Sequence, residues 1–207
     1  MSFKGQVVRR GFRDRGLFFG LAQLCRVIRR KLVGDYRLVF RLDGSTSPPG
    51  SGKQFQVDQL HRIDQESMSG DLHGSLVRDY SSLTGNDGIA MLRHGRVLWL
   101  YLRDGRVSSY MWSTSGEHLD HYFFKVPGEA HVFSHAGTVQ EDRGMGLMTD
   151  VLSTASSRLL SDGAMQLYID CSDWNMSSRR AIEKAGYSLH GHGVHYRNGS
   201  SRWKVKS

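Results

Sequence analysis

The sequence predicts an α/β (α+β) fold, and three observations carry that prediction. Residues 130–152 read as a strand, a glycine turn and a helix. Val132, Phe133, Ala136 and Val139 form a short apolar run that ends near Val139. Arg143-Gly144-Met145-Gly146 make the turn, and Leu147, Val151, Leu152, Ala155 and Leu159 then recur along one helical face. Residues 166–171 read as a second strand, followed by Asn175, a helix from about Ser177 to Ala185, and Gly186-Tyr187. Residues 88–114 read as a run of strands broken by glycine turns.

A strand that feeds a glycine turn and a helix is an anion site in outline. The first amides of a helix have no internal partner, and the helix dipole favours negative charge there. Gly144 and Gly146 let the backbone approach a phosphate, and Arg143 adds charge or holds the turn. A Gly-x-Gly turn serves steric needs as readily, so this turn alone decides nothing.

The second motif changes the odds. The order strand, Arg-x-x-Gly turn, helix, strand, Asn, short helix, Lys-x-Gly-aromatic resembles the GNAT superfamily of N-acetyltransferases. Arg143-Gly144-Met145-Gly146-Leu147 looks like its coenzyme A pyrophosphate loop. Asn175, Ser178, Glu183, Lys184, Gly186 and Tyr187 look like its Asn-x-x-Ser/Ala…Glu-Lys-x-Gly-Phe/Tyr pattern. The resemblance covers residues 130–190 well, follows residues 35–129 only in element order, and does not reach residues 1–33.

The resemblance implies a mixed, mostly antiparallel central sheet flanked by helices, and direct transfer of acetyl from acetyl-CoA, as cosubstrate, to a primary amine. The cofactor-binding residues it implies are Thr138, Val139, Arg143, Gly144, Met145, Gly146, Leu147, Met148, Asn175 and Ser178. Within that set Thr138 and Val139 align the thioester through the backbone, and the Val139 amide is the candidate donor to its carbonyl oxygen. Asn175 positions the pantetheine arm or an ordered water, while Arg179 and Arg180 either reach the phosphates or face solvent. The run Thr138-Val139-x-x-x-Arg143-Gly144 is similar to members that act on small amines, including amino sugars for surface polysaccharide.

An amine attacks only when neutral, so a base or a water chain is needed. His135, Glu141 and Glu129 are the candidate bases. His131 and His135 share parity on the expected strand and should face the same way, without metal-ligand spacing around them, so no metal is expected. A hydrogen-bonded structural role fits His135 as well as a catalytic one.

Two positions depart from the family pattern. Met148 stands where Gly or Ala is usual, close to the cofactor, and Ile182 stands where many members carry a Tyr that protonates the leaving thiolate. They support two rival readings: a non-catalytic acyl-CoA-binding module, or an interaction protein with a degenerate domain behind a basic helix.

The 207 residues and net charge of +8 divide unevenly. Residues 1–41 hold 11 of the 28 Lys and Arg against Asp14 and Asp35 alone, so the basic character belongs to the front of the chain. Leu17, Leu21, Leu24, Ile28 and Leu32 fall on one helical stripe with Arg26, Arg29, Arg30 and Lys31 crowding its end. We therefore divide the chain into a basic amphipathic extension, 1–33, and an acetyltransferase-like domain, 34–207. The extension suits an anionic membrane surface, its own domain, or a second subunit in a homodimer. Nucleic acid is disfavoured, because aromatics for base stacking are not interleaved. Cys25 and Cys171 lack metal spacing, no stretch is long enough to span a bilayer, and the expected location is cytoplasmic, with the inner membrane face as the extension's alternative.

The remaining elements follow in order. Residues 36–42 alternate as a first strand and 43–53 form a loop. Residues 57–68 and 72–83 read as two helices with Leu60, Ile63, Leu72, Leu76 and Val77 toward the core, and the loop between them, with Glu66 and Asp71, could meet an amine. Residues 89–92, 96–102 and 107–112 read as strands separated by Arg93-His94-Gly95 and Arg103-Asp104-Gly105. Residues 122–126 read as a short strand, and a closing pair turns at Asn198-Gly199 with His190, His192 and His195 on exposed loop.

Overall fold

Eight strands form one sheet in the order β2-β3-β4-β5-β6-β1-β7-β8. They are β1 (Asp35–Asp43), β2 (Leu60–Ile63), β3 (Arg96–Arg103), β4 (Arg106–Ser115), β5 (Ala130–Thr138), β6 (Gln166–Ser172), β7 (Ser188–His195) and β8 (Ser201–Val205). Only β5 and β6 run parallel, and every other neighbouring pair is antiparallel. Among the described residues from 34 onward, the α-helices are α1 (Asp71–Thr84), α2 (Gly88–Arg93), α3 (Leu147–Ser161) and α4 (Met176–Lys184). This computed structural model describes residue 25 and residues 34–45, 56–196 and 200–206. Apart from Cys25, the amphipathic helix expected in residues 1–33 lies outside the described residues, as does the Asn198-Gly199 turn.

Strand alternation sorts the side chains into two faces. On one face Leu38, Phe40, Met111, Phe133, Leu167 and Ile169 pack against Leu147, Val151, Leu152 and Ala155 of α3 and Ile182 of α4. On the other, α1 and α2 cover β2 to β4 through Leu76, Val77, Tyr80 and Leu92 against Ile63, Leu98, Leu100 and Trp112. An irregular segment covers the rest of that face, placing Phe123 and Val126 on Val39, Val132 and Tyr168.

Five expectations are corrected. Residues 57–68 are not a helix: Val57–Gln59 and Ser67–Ser69 are single 3-10 turns around β2. Leu60 and Ile63 satisfy helical spacing, but they pair across to Tyr101 and Leu98 as the edge of the sheet. Residues 89–92 are helix α2 rather than strand, because Asp87 caps it by accepting from the Ala90 amide at 2.9 Å. Residues 122–126 are not a strand; their side chains pack over the sheet, with Phe124 edge-on to Tyr168, instead of joining it. Leu72 is 59% exposed and leaves the core to Leu76 and Val77. His190, His192 and His195 lie on β7, not on a loop, and His190 and His195 join the ring cluster with Phe124, Trp203 and Phe123.

Candidate active site

β5 and β6 are registered from Ala130 with Gln166 to Phe133 with Ile169, and there the pairing ends. On their outer sides both strands continue: β5 pairs with β4 as far as Thr138, and β6 with β1 as far as Ser172. The two parallel strands therefore part like a split seam, leaving facing backbone edges that must find other hydrogen-bond partners. The split opens a cleft of about 780 Å³.

A bulge helps to drive β5 away. Trp112 opposes Ser134 and Tyr110 opposes Gly137, so His135 and Ala136 together face Met111. His135 takes φ of +49°, unusual for a residue with a side chain. The insertion also breaks the parity expected between His131 and His135. Arg62 and Asp162 are the charges that act on His131, whereas Arg96, Asp170 and Arg37 act on His135. Gly137 admits the cross-strand Tyr110 ring, since a Cβ there would sit 2.4 Å from the phenol.

Past Thr138 the chain makes a 3-10 turn, Gln140–Asp142, and enters the glycine turn. Gly144 and Gly146 adopt φ of +86° and +83°, which residues with a Cβ rarely take. Gly146 precedes α3 and no side chain caps the helix, so the first-turn amides are left for a ligand. The turn is stapled from behind. Ser108 Oγ donates to Asp142 at 2.6 Å, Arg103 donates to the same carboxylate at 2.7 Å and to Met145 Sδ at 3.0 Å. The Ser108 hydroxyl, and after it Arg103, hold the Asp142 pKa below the usual carboxylate range. Arg143 Nε donates to the Thr138 carbonyl at 3.1 Å, so this arginine braces the turn as well as charging it.

Of the expected cofactor-binding residues, Thr138, Arg143, Gly144, Gly146, Leu147, Met148, Asn175 and Ser178 line the cleft. Val139 and Met145 do not. The Val139 amide donates to the Ser108 carbonyl at 2.9 Å and is not available to a thioester oxygen. Strand geometry alternates, so the Thr138 backbone points the other way, toward the split. Asn175 Oδ1 accepts from the Ser178 amide at 3.2 Å and from Ser177 Oγ at 2.8 Å, capping α4. Its Nδ2 is what remains to offer a ligand. Arg180 and Lys184 line the cleft, whereas Arg179 is tied to Glu183 at 2.9 Å.

Among the three candidate bases only His135 lines the cleft. Glu141 is exposed on the 3-10 turn outside it, and Glu129 lies at the far end of β5, where its carbonyl accepts from the Met165 amide. Glu66 and Asp71, expected near the acceptor, do not line the cleft either. His135 Nδ1 is 3.1 Å from Ser134 Oγ. It is exposed on the cleft wall, and partial desolvation there, followed by the Arg96 guanidinium, lowers its pKa below the ordinary histidine value.

Several cleft residues had no signal in the sequence. Arg37 and Asp170 line it from the face opposite α3 and α4, and Arg37 Nε donates to Asp170 Oδ2 at 2.5 Å. Cys171 lines it from the helix face, where burial pushes its thiol up to about 11. Trp174 lines it too, with an indole N–H that is buried and unpartnered among the described residues.

The fold has counterparts among solved structures. An acetyltransferase of the GNAT family from Novosphingobium aromaticivorans superposes with a TM-score of 0.56 at 16% identity, over 78% of this chain and 62% of that one. The chain has the GNAT acetyltransferase fold. A GNAT-family acetyltransferase from Colwellia psychrerythraea gives 0.52 at 13% identity over 89% of this chain and 63% of that one. This chain thus spans less than two thirds of the length of those two GNAT chains. The aminoglycoside acetyltransferase AAC(6')-Ib, solved with coenzyme A and kanamycin, gives 0.50 at 17% identity over 72% of this chain and 94% of that one. No family model matches the sequence, and no curated protein matches it.

Proposed function

We propose that this protein is an N-acetyltransferase that moves acetyl from acetyl-CoA to a primary amine of a small molecule. One observation carries the reading: the split between β5 and β6 leads directly into an uncapped, two-glycine helix start. A slender chain bearing amides fits the first, and a pyrophosphate fits the second. Coenzyme A has both in that order. AAC(6')-Ib, which shares the fold, is solved with coenzyme A and kanamycin, which supports a small amine as acceptor.

In this reading the first-turn amides of α3 from Leu147 and Met148 meet the pyrophosphate, with Arg143 alongside. The Thr138 backbone and Asn175 Nδ2 hold the pantetheine amides in the split. Fixing the thioester against the amine is the main catalytic effect. His135 takes the proton from the amine, since the lowered pKa leaves its imidazole free to accept it. Ile182 is buried and apolar, so the thiolate takes its proton from water in the cleft. An amino sugar for surface polysaccharide is the acceptor we favour, and a place beside the inner membrane face, reached through residues 1–33, suits it. Sedimentation of the chain with anionic vesicles, with and without those residues, tests the second point.

Ile182 and Met148 favour a second reading, a module that binds acyl-CoA without turnover. Calorimetry with acetyl-CoA on the wild type, Arg143→Ala and Gly146→Trp separates the outcomes. Binding that both variants weaken, followed by thiol release with an amine, supports the enzyme. Binding without thiol release on any amine supports the module. No binding to the folded wild type sinks both.

A further inference from the structure

Asp142 lines the cleft beside the glycine turn, where its charge has the wrong sign for a site that takes an anion. Its partners account for it. The β3–β4 hairpin closes with Arg103 opposite Arg106, through Asp104 and Gly105 at φ of +51° and +72°. Two successive positive φ values make a tight two-residue turn that fixes the strand ends on either side. From that tip Arg103 reaches both flanks of the glycine turn: Asp142 before Arg143-Gly144, and Met145 after it. Ser108, buried on β4, holds the Gln140–Asp142 turn from both ends. Its carbonyl accepts from the Val139 amide, and its hydroxyl donates to Asp142. Arg106 adds a second positive charge that acts on the same carboxylate. Arg103, Ser108 and Met145 do not line the cleft, whereas Gly144 and Gly146 do. The side chains at 142 and 145 are thus engaged by the hairpin behind the turn.

From this we infer that Asp142 is a positioning residue for the coenzyme: tied to Arg103 and Ser108, it holds the glycine turn against the β3–β4 hairpin in the shape that receives the pyrophosphate. The inference rests on the reading above that this turn holds the coenzyme, and it applies with or without turnover. Charge and position make opposite demands at this residue. By charge alone, removing Asp142 relieves a repulsion and strengthens the binding of a pyrophosphate. By position, removing it leaves the turn to be ordered by the ligand, and that ordering is subtracted from the affinity. The second effect wins here, because Arg103 already stands against the carboxylate at 2.7 Å and leaves little repulsion to relieve. Arg103 thus has two tasks, as one anchor of the turn and as the counter-charge that makes a carboxylate tolerable beside an anion.

The test is calorimetry with acetyl-CoA on the wild type, Asp142→Ala and Arg103→Met/Asp142→Ala, each shown to be folded by a thermal melt. Asp142→Ala should weaken binding by about tenfold, although it takes a negative charge away from an anion. The double variant keeps the wild-type net charge and should bind at least as weakly as Asp142→Ala. Arg62→Met breaks a comparably exposed pair with Asp162, neither of which lines the cleft, and should bind like the wild type. With an accepted amine, the loss should fall on KM for acetyl-CoA and leave kcat within about twofold. If Asp142→Ala does not fold, Asp142→Asn removes the same charge and takes its place, with the same sign expected. Unchanged or tighter binding by the Asp142 variant, wild-type affinity in the double variant, an equal loss in Arg62→Met, or a loss confined to kcat each overturn the inference. A folded wild type that does not bind acetyl-CoA overturns the reading on which it rests.

Discussion

Phe133 on β5 and Ile169 on β6 are the last residues at which the two parallel strands meet in register. The cleft of the candidate site opens at that pair. The buried Phe133 and Ile169 side chains pack under α3, so the hinge of the split is anchored in the larger core.

The glycine turn should not tolerate a branched side chain. Gly146→Val forces a β-branched residue to φ near +83°, a conformation that costs roughly 1–2 kcal/mol even for ordinary residues. Nothing lies within 4 Å of the added Cβ, so the new methyls project into open space beside the proposed pyrophosphate position. We expect a lower Tm and a loss of acetyl-CoA affinity of at least tenfold, both read by calorimetry with thermal melts alongside.

The rate should follow His135. Its folded-state pKa lies below the ordinary histidine value, so the unfolded chain binds this proton more tightly than the folded one. The stability it contributes is therefore present above the unfolded value and is lost as pH falls through the folded one. With the imidazole as the proposed base, kcat/KM should level off already below the ordinary histidine pKa and fall at more acid pH. His135→Gln should remove that acid limb and lower kcat/KM by about 10²- to 10⁴-fold. A pH–rate profile that keeps the limb in the variant removes His135 from the mechanism.

Gly137 faces the phenol of Tyr110 too closely for any side chain. Gly137→Ala should cost ~1–3 kcal/mol through overpacking, measured by denaturant unfolding. Combining it with Tyr110→Ala should recover much of the loss, and a double-mutant cycle with no coupling would show that the strain lies elsewhere.

Ser156 on α3 and Tyr187 after α4 share a fully buried hydroxyl contact of 2.7 Å. Tyr187→Phe leaves the serine hydroxyl without that partner and should cost ~1–3 kcal/mol in the same unfolding assay. Acetyl-CoA affinity should hardly change, which separates this structural tyrosine from the ligand site.

The parts of the fold that were legible are those whose chemistry is local. A helix that starts after two glycines, and one that starts with a capping Asn175, announce themselves within a few residues. The parts that were missed depend on distant partners. Leu60 and Ile63 are three apart and fit a helix, until Tyr101 and Leu98 offer them a sheet edge. Residues 122–126 carry the composition of a strand, but β5, β6, β1 and β7 are already flanked on both sides, so these rings can only cover the sheet. The site divides the same way. The glycine turn and His135 could be named from sequence, whereas Arg37, Tyr122 and Asp170 meet only because three remote segments converge. The bulge at His135 is also silent in the sequence, since a period-two count has no means of registering one extra residue opposite Met111.

The parted strands have a last consequence, which concerns thickness. Neighbouring strands sit about 4.8 Å apart, so one extended chain inserted between β5 and β6 restores ordinary spacing on both sides. A polypeptide would raise side chains above and below the sheet at every second residue. Here they would strike Leu147 and Ile182 on one face and the Arg37–Asp170 pair on the other. The unbranched β-alanine and cysteamine units of coenzyme A carry no such projections. Side chains at every second residue would thus meet both walls of the split, so its two open backbone edges favour an unbranched chain over another strand.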